Sequence, residues 1–424
     1  MWRALYTLAL RAAAPFILLR LWWRGAREPA YRRRIGERFG YYREGRRERP
    51  LLWAHAVSVG EARASAALVR ALVSAHPGHD LLVTCMTAAG HATLKELHGE
   101  SVTIAWLPYD YPGSVRRFLE HFRPRLALLV ETELWPNLVA ACGDYGVPVL
   151  LANARMSERS ARAYGRLPGL ARPAFAALAL ACAQSGEDAA RLRSLGARRV
   201  EVTGNLKFDS TPDQAKRSEG KAWRTRLGRP VLLLASTREG EEAMLLEALP
   251  DRPADLLALV VPRHARRFEE VARLVAKDGV AVARRSANHD PGAGDRVFLG
   301  DTMGEMDFYF AAADVAVIGG SFAPRGGQNL IEACTAGVPV VLGPSMFNFA
   351  EATRLALEAG AAVQVADAAS AMRQASALLL DQGKRTAMGE AGRNLCAAHR
   401  GATQRHLDFC REILRAEATG TMRG

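Results

Sequence analysis

Carboxylates that follow apolar strand-like runs are the first candidates for chemistry in this sequence. Glu61 comes after the run Leu51–Val57, at the end of the segment SVGE over 58–61. A carboxylate beyond the carboxyl end of a parallel strand can take a proton from a ligand hydroxyl group. Ser58 and Glu61 also have the spacing of a capping box, which satisfies backbone N–H groups at a helix start. Both interpretations fit this spacing equally well.

A second acidic group follows the apolar run Leu126–Val130. Glu131 and Glu133 lie two residues apart there, and Trp135 comes next but one. Two carboxylates directly after a buried strand are unusual, so we expect a site rather than a solvated surface. Lys207 lies farther along, within the segment TGNLK over 203–207. It could pair with a phosphate or a carboxylate, or it could be a solvated charge at a hinge.

The second half of the chain has the features of an anion or nucleotide site. Small and hydroxyl residues open helices after several of its apolar runs, at 236–241, 300–306 and 326–332. Helix N-termini of this kind favour anions. Arg263 follows another run and could form two hydrogen bonds to a phosphate. Glu332 could bind both hydroxyl groups of a ribose, or it could be a favourable charge at a helix N-terminus.

Metal-binding patterns are absent from the sequence. It contains no HExxH motif, no cluster of histidine and cysteine, and no Asp-x-Asp. Its six cysteines are scattered, with no CxxC pair, which is typical of free thiols in a reducing compartment. We therefore expect no catalytic metal and no cofactor other than the substrates.

Short apolar runs alternate with helical stretches and must position these side chains. This alternation predicts parallel, doubly wound α/β sheets. The predicted strands are Leu51–Val57, Leu81–Met86, Leu126–Val130, Val147–Ala152 and Ala177–Ala183 in the first half, and Val231–Ala235, Leu256–Val261, Val280–Ala283, Val315–Ile318 and Val338–Leu342 in the second. Two Rossmann-like halves of similar size predict a ligand cleft between the carboxyl ends of the two sheets.

The pattern also predicts domain boundaries. A basic and apolar segment occupies 1–49 and the first Rossmann-like domain 50–209. Residues 210–230 lack apolar periodicity and contain turn residues, so a linker is predicted there. The second Rossmann-like domain is predicted over 231–402, and a C-terminal helix and tail over 403–424, with the helix at Gln404–Ala416.

The composition excludes several classes of protein. Of 424 residues, 49% are apolar and 24% charged, which excludes a polytopic membrane protein and a disordered chain. The net charge is +13. Residues 1–50 hold 13 arginines and four glutamates, a net +9, so the other residues carry only 13 − 9 = +4. A nearly neutral body argues against nucleic-acid binding, which needs clustered lysine and arginine.

The basic N-terminus adjoins an apolar stretch, AAAPFILLRLWW over Ala12–Trp23. Arg11 and Arg20 interrupt the apolar run, so a membrane span is possible but poor. Tryptophans at the ends and arginines beyond them favour attachment to the phospholipid surface, with the body on the cytoplasmic side. The alternative is a buried first helix followed by a solvated arginine-rich loop.

Long motifs in one order give the sequence a family resemblance. It resembles the Kdo (3-deoxy-D-manno-octulosonic acid) transferases of Gram-negative lipopolysaccharide assembly. The motifs that carry the resemblance are YRRRIGERFG over Tyr31–Gly40, HAVSVGE over His55–Glu61, LPYDY over Leu107–Tyr111, ETELWPNL over Glu131–Leu138, NARMS over Asn153–Ser157, TGNLKFD over Thr203–Asp209, Pro262–His264, GDTMGE over Gly300–Glu305, Gly319–Ser321, Gly326–Glu332 and FNF over Phe347–Phe349.

The resemblance implies a GT-B glycosyltransferase of two Rossmann-like domains facing across a cleft, with a membrane-associated N-terminal helix. It implies CMP-Kdo as donor, the glucosamine-disaccharide lipid A precursor (lipid IVA) as acceptor, inversion at the sugar, and a place on the cytoplasmic face of the inner membrane. Glu61 matches the general base, and Glu131 and Lys207 match positions that stabilise the transition state. The implied CMP contacts are Pro262, Arg263, Gly304, Glu305, Met306, Asn329, Leu330, Ile331 and Glu332.

Two other functions remain as alternatives at this level. One is a GT-B enzyme that acts on a different nucleotide sugar, such as a UDP sugar. The other is a protein that binds lipid or nucleic acid without catalysis.

Overall fold

The chain divides into two compact units in the computed structural model, which describes residues 1–43, 49–249, 253–276 and 282–419. Unit 1 comprises Met1–Ser210 together with the C-terminal segment from Arg400, and unit 2 comprises Thr211–His399. Each unit is a parallel sheet with helices on both of its faces. The predicted α/β class with two Rossmann-like halves is confirmed.

Unit 1 is built on a parallel sheet whose described strands number seven, in the order β3-β2-β1-β4-β5-β6-β7. The strands are β1 Leu51–His55, β2 Asp80–Cys85, β3 Thr103–Trp106, β4 Pro124–Val130, β5 Val149–Ala154, β6 Leu180–Ala183 and β7 Val200–Val202. The order reverses direction between β1 and β4. In doubly wound sheets ligands bind beyond the carboxyl ends of the strands at this switch point.

Strand β1 shows why these sequences form a central sheet. All five of its residues are buried, because helices cover both faces. The helices of unit 1 are α1 Trp2–Arg27, α2 Val59–Ala75, α3 Ala88–His98, α4 Pro112–Phe122, α5 Pro136–Asp144, α6 Glu158–Gly165, α7 Pro168–Ala176, α8 Gly186–Ser194 and the final helix Ala402–Ala418, labelled α17.

Unit 2 repeats the plan, and seven parallel strands are described in it, in the order β10-β11-β9-β8-β12-β13-β14. They are β8 Val231–Thr237, β9 Leu257–Pro262, β10 Ala283–Arg284, β11 Val297–Leu299, β12 Val315–Ile318, β13 Val340–Leu342 and β14 Ala362–Gln364. Its helices are α9 Gln214–Leu227, α10 Glu241–Glu247, α11 Phe268–Val275, α12 Met306–Ala311, α13 Ile331–Ala336, α14 Ala350–Glu358, α15 Ala368–Leu380 and α16 Gln382–Ala398.

The predicted linker over 210–230 is a helix for most of its length, and that prediction was wrong. Helix α9 packs closely on α12, and its residues Gly220 and Trp223 are buried. Two of the turn residues in this segment are the helix caps. Asp213 accepts N–H bonds at the N-terminus, and Gly228 ends the helix with a φ of +72°.

The C-terminal segment returns to unit 1, so unit 2 ends at His399 rather than at 402. Its helix α17 confirms the prediction at Gln404–Ala416 and packs on α2 and β4. Asp209 fixes the start of α17, because its carboxylate accepts the N–H groups of Gly401 at 2.8 Å and Thr403 at 2.5 Å. The predicted strand at Val280–Ala283 begins outside the described residues, and the strand observed there is β10.

The N-terminal segment forms one long helix. Residues Trp2–Ala26 are long and apolar enough to cross a membrane, with a mean hydropathy of 1.5 over the most apolar window. Only 6% of that window is buried, so α1 is not the core helix that the alternative interpretation required.

Candidate active site

Glu61 lies in the first turn of α2, directly after β1. The side chain of Ser58 accepts the N–H of Glu61, and the Glu61 carboxylate accepts the N–H of Val57 at 2.6 Å. The Ser58 hydroxyl also donates to the carboxylate at 3.1 Å. The capping interactions therefore exist, and they fix the carboxylate beyond the carboxyl end of β1.

The surroundings of Glu61 shift its pKa in a way that a helix cap does not require. Burial, and then the like charge of Glu131, raises the pKa of the Glu61 carboxyl to about 8, and Glu133 adds to the rise. The hydrogen bonds from Val57 and Ser58 oppose this shift and do not cancel it. An ordinary capping glutamate is exposed and keeps a low pKa. A carboxyl group that titrates near neutral pH has the property that a general base needs.

Glu131 begins the loop after β4 and holds an unusual backbone conformation. Its φ is +62°, in the left-handed region that residues other than glycine and asparagine rarely adopt. The N–H of Glu131 donates to the carbonyl of Ala152 at 2.8 Å, and this hydrogen bond holds the turn against β5. The Lys207 ammonium lies 3.4 Å from the Glu131 carboxylate, and both side chains are mostly buried. The structure therefore brings together Glu61, Glu131 and Lys207, which are distant in sequence.

Glu133 is the third carboxylate of this group. Trp135 donates its indole N–H to Glu133 at 3.1 Å. Burial, with a smaller contribution from Glu131, raises the pKa of Glu133 above its ordinary value. The site in unit 1 thus holds three carboxylates and one lysine.

A buried amide network holds Lys207 in place. Asn153, with a φ of +51°, accepts the N–H of Leu206 at 3.0 Å, and Gln184 donates to the Asn153 carbonyl at 3.0 Å. The backbone N–H of Asn153 donates to the Nε2 atom of His406 on α17, at 2.9 Å. Burial lowers the pKa of His406 to about 4, so its ring is neutral and Nε2 can accept. Sequence reasoning missed Gln184 and His406, because neither belongs to a motif beside the site.

In unit 2, the buried carboxylate of Glu241 forms hydrogen bonds to the loops after both β8 and β12. Glu241 accepts the backbone N–H groups of Arg238 at 2.9 Å, Gly320 at 2.6 Å and Phe322 at 3.0 Å. These N–H groups are therefore occupied by a carboxylate of the protein. Within the stretch 236–241, which the sequence suggested as an anion site, the N–H of Arg238 is therefore not available to a ligand.

Pro262 and Arg263 lie at the end of β9, as predicted. The N–H of Arg263 donates to Thr237 at 3.0 Å, and its guanidinium donates to the amide of Gln328 at 3.2 Å. Gly319 allows the loops to come this close, since a Cβ atom there would lie 2.5 Å from the Cα of Thr237. Arg263 is half-buried, and Gln328 orients its side chain.

Gly304, Glu305 and Met306 form the turn that begins α12. Gly304 has a φ of +77°, and its carbonyl accepts a hydrogen bond from Lys216 at 2.8 Å. Arg285 pairs with Glu305 at 3.2 Å. Burial opposes ionisation of Glu305, but the hydrogen bonds from Arg285 and Thr302 hold its pKa below the ordinary value.

Arg285 makes two further contacts, an ion pair and a contact with an aromatic ring. It pairs with Glu219 on α9 at 2.6 Å and lies over the ring of Phe308 at 4.0 Å. Lys216 and Arg285 were missed by sequence reasoning. Lys216 lies in the segment taken as a linker, and Arg285 lies in no recognised motif.

The segment Asn329–Glu332 opens α13, which begins at Ile331. Asn329 accepts the N–H of Ile331 at 3.1 Å and donates to the Glu332 carboxylate at 2.9 Å. The side chains of Leu330 and Ile331 are buried in the core, so these two positions could contact a nucleotide only through the backbone.

No group of three or more side chains that could hold a metal ion occurs among the residues that the structure describes. The predicted independence from metal remains a prediction.

Comparison with known proteins decides the family. A family model described as 3-deoxy-D-manno-octulosonic-acid transferase (Kdo transferase) matches residues 33–210, and one described as glycosyl transferases group 1 matches residues 282–395. A 3-deoxy-D-manno-octulosonic acid transferase of Bordetella pertussis is 48% identical over 98% of this chain and 100% of its own length. The chain belongs to the Kdo transferase family. The Kdo transferase of Haemophilus influenzae is 36% identical, again over 98% of this chain and 99% of its own length.

The fold has solved relatives outside the family. The UDP-GlcNAc 2-epimerase of Neisseria meningitidis has a TM-score of 0.60 and 14% identity, over 85% of this chain and 100% of that chain. This likeness concerns the fold alone, and it agrees with the predicted GT-B class. This Kdo transferase is a glycosyltransferase, and the resemblance drawn from its motifs is confirmed.

Proposed function

We propose that this Kdo transferase moves Kdo from CMP-Kdo to the glucosamine-disaccharide lipid A precursor, lipid IVA, with inversion at the sugar. The observation that carries the proposal is the Glu61 carboxyl, held at the carboxyl end of β1 with a pKa of about 8. The transfer needs a group that accepts a proton from the attacking hydroxyl at near-neutral pH. Glu61 has that property, and Lys207 supplies a cation 3.4 Å from the neighbouring carboxylate of Glu131.

In the proposed reaction, an acceptor hydroxyl attacks the anomeric carbon on the face opposite the phosphate. The new C–O bond forms as the bond to the CMP phosphate breaks, and the hydroxyl proton passes to Glu61. The leaving group is CMP, and the sugar develops oxocarbenium character on the way. Lys207, poised by Glu131, offsets the negative charge of the sugar carboxylate or of the phosphate.

Unit 2 holds the nucleotide in this proposal. Arg263, oriented by Gln328, binds the phosphate, since an arginine fork matches phosphate geometry. The turn at Gly304–Met306 approaches the nucleotide closely, because glycine at a φ of +77° leaves no Cβ there. Glu332, held by Asn329, accepts the ribose hydroxyls. No step requires a metal.

The enzyme acts at the cytoplasmic face of the inner membrane in this proposal. Support comes from helix α1, which is long and apolar enough for membrane attachment, and from the net charge of +9 in residues 1–50. Attachment would keep the enzyme at the surface where a lipid acceptor lies.

A donor and acceptor panel tests the proposal. Label transfer from CMP-Kdo to lipid IVA is expected, without added metal and in the presence of a chelator. The anomeric configuration of the product, determined by NMR, should be opposite to that of the donor. Transfer from a UDP sugar but not from CMP-Kdo would show the alternative GT-B activity, and retention of configuration would contradict the single in-line attack.

A further inference from the structure

Helix α1 divides into two faces along its whole length. Within Trp2–Ala26 the positions that are buried or half-buried are 6, 7, 10, 13, 14, 17, 21 and 25, and every other position is exposed. This spacing of three and four residues marks one stripe of a helix. The stripe covers 19 residues of rise, about 28 Å at ~1.5 Å per residue. One side of α1 therefore contacts the rest of unit 1 over the full length that a helix needs to span a membrane.

Polar contacts fix the first half of this stripe to unit 1. Thr7 accepts a hydrogen bond from the Asn137 amide at 3.0 Å, and Tyr111 donates to the carbonyl of Leu10 at 3.0 Å. The hydroxyl of Tyr6 hydrogen-bonds to the buried carboxylate of Asp110. A helix that crossed the bilayer would carry these polar groups of the folded unit into the hydrocarbon core, where they are costly.

The second half of the stripe is held by the segment after the helix. The guanidinium of Arg32 donates to the carbonyl of Trp22 at 2.9 Å and lies 4.0 Å from the centre of its ring. Leu21 is buried against unit 1, 6% exposed. Gly25 leaves room for Arg32, because a Cβ atom there would lie 2.3 Å from the Cγ of Arg32.

The opposite face of α1 is apolar and has arginine at both edges. Arg11 and Arg20 are nine residues apart, which places them about 180° apart around a helix of ~3.6 residues per turn. The large apolar side chains between them are exposed by 46–74%, and the most exposed are Leu5, Leu8, Phe16, Leu19, Trp22 and Trp23. This face is too apolar to be left in water and is bordered by positive charge.

We propose that α1 lies in the plane of an anionic phospholipid surface and does not cross it, so that unit 1 rests on the membrane through this face. The charge pattern selects the occupant. Arginines at the edges of an apolar face meet lipid phosphates when the face enters the headgroup boundary by about 5–10 Å. A second copy of this chain would present the same arginines and would be repelled.

The orientation links the membrane to the proposed acceptor site. Asp110, which binds Tyr6 of α1, also accepts the N–H groups of Asn137 at 3.0 Å and Leu138 at 2.8 Å, at the start of α5. Helix α5 directly follows the loop that carries Glu131 and Glu133. A lipid head group at the membrane surface would therefore meet the loop of Glu131 and Glu133, and α1 supports this loop through Asp110 and the start of α5. This inference rests on the membrane location in the proposed function.

Spin-label depth measurements on the full chain test the orientation. All six native cysteines are buried, so single cysteines placed at Leu8, Ala12, Phe16 and Leu19 can be labelled selectively. The labelled proteins are bound to vesicles of phosphatidylethanolamine and phosphatidylglycerol. We expect one common shallow depth at all four positions, about 5–10 Å below the phosphates. A helix that spans the bilayer would instead place Ala12 and Phe16 near its centre, about 15 Å deep, and would overturn the proposal.

A matched variant on the other face completes the experiment. A cysteine at Ala14 should react more slowly than one at Ala12 with both a lipid-soluble and a water-soluble thiol reagent, because Ala14 is half-buried and Ala12 is exposed. Thermal unfolding and Kdo transfer confirm that each variant is folded. Failure to bind the vesicles at all would contradict the membrane location, whereas binding with a deep centre would contradict only the in-plane orientation. Dipolar coupling between labels of two copies, without lipid contact, would show a protein interface and would also overturn the proposal.

Discussion

Glutamates at the candidate sites of the two units have opposite electrostatic surroundings. In unit 1, Glu61 and Glu133 have raised pKa values, because each is buried beside other carboxylates. In unit 2, the Glu305 carboxylate is paired with Arg285, and its pKa is lowered. Glu242 is fully buried and is paired with Arg267 at 2.5 Å.

This difference separates chemistry from binding. A carboxyl group whose charge is opposed by its neighbours can gain and lose a proton near neutral pH. The pairing with Arg285 keeps the pKa of Glu305 low, so that this carboxylate stays ionised near neutral pH. The proton transfer of the proposed reaction therefore belongs in unit 1, and unit 2 is suited to holding an anionic nucleotide.

The largest expected effect comes from removing the proton acceptor. Glu61→Gln should lower kcat by on the order of 10²–10⁴, since general base catalysis contributes about that much. The amide oxygen still accepts the N–H of Val57, so α2 keeps its start. Label transfer to lipid IVA measures the loss.

Ser58→Ala is the matched control for Glu61→Gln. It removes the helix cap, at a cost of about 1 kcal/mol of stability, and keeps the Glu61 carboxylate with its hydrogen bond from the N–H of Val57. We expect most of the activity to remain. If the well-folded Glu61→Gln enzyme turns over normally, Glu61 is a cap and no more.

A smaller effect is expected in unit 2. Arg263→Ala and Glu332→Ala should each weaken CMP binding about 10- to 100-fold, the range for a lost hydrogen bond to a charged group. Isothermal titration with CMP measures the affinity. Arg266→Ala is the control, because Arg266 is exposed and lies only three residues from Arg263. Unchanged CMP affinity in both Arg263→Ala and Glu332→Ala would show that the nucleotide does not bind at this surface. Glu61→Gln, which changes unit 1, should bind CMP normally.

The pH dependence gives the smallest and most specific effect. A base must be deprotonated, and the pKa of Glu61 is raised to about 8, so kcat/KM should rise as the pH increases through about 8. Glu131→Gln removes the largest like charge and should move the midpoint to lower pH. Glu133→Gln should move it less, and Glu332→Gln in unit 2 should not move it. If the midpoint of the pH profile is unchanged in Glu131→Gln, a group other than Glu61 controls the rate.

Much of this architecture was predictable from the sequence, for identifiable reasons. Long apolar runs such as Leu126–Val130 predicted the central strands, because strands buried on both faces need continuous apolar sequence. The short strands β3, β7, β11 and β14 were not predicted, because polar residues interrupt or flank them and no long apolar run marks their positions. Helix α9 was missed because only Gly220 and Trp223 of its 14 residues are buried, which leaves no apolar periodicity.

The site residues were predictable by type but not by arrangement. Strand ends and motifs indicated Glu61, Glu131 and Lys207. That Lys207 lies 3.4 Å from Glu131, 76 residues away in the chain, follows only from the fold. The same is true of the support from His406 on the last helix, 253 residues from Asn153. The left-handed conformation of Glu131 has no signal in the sequence, because this region is normally occupied by glycine or asparagine.

The protonation of Glu61 can be measured directly. The infrared band of a protonated carboxyl group that is present in the native enzyme and missing from Glu61→Gln identifies this one side chain. Following that difference band between pH 4 and pH 10 gives the pKa of Glu61 in the free enzyme. We expect the band to disappear with a midpoint near pH 8. A band that is lost near the ordinary glutamate value of about 4.3 would contradict the assignment of Glu61 as the proton acceptor.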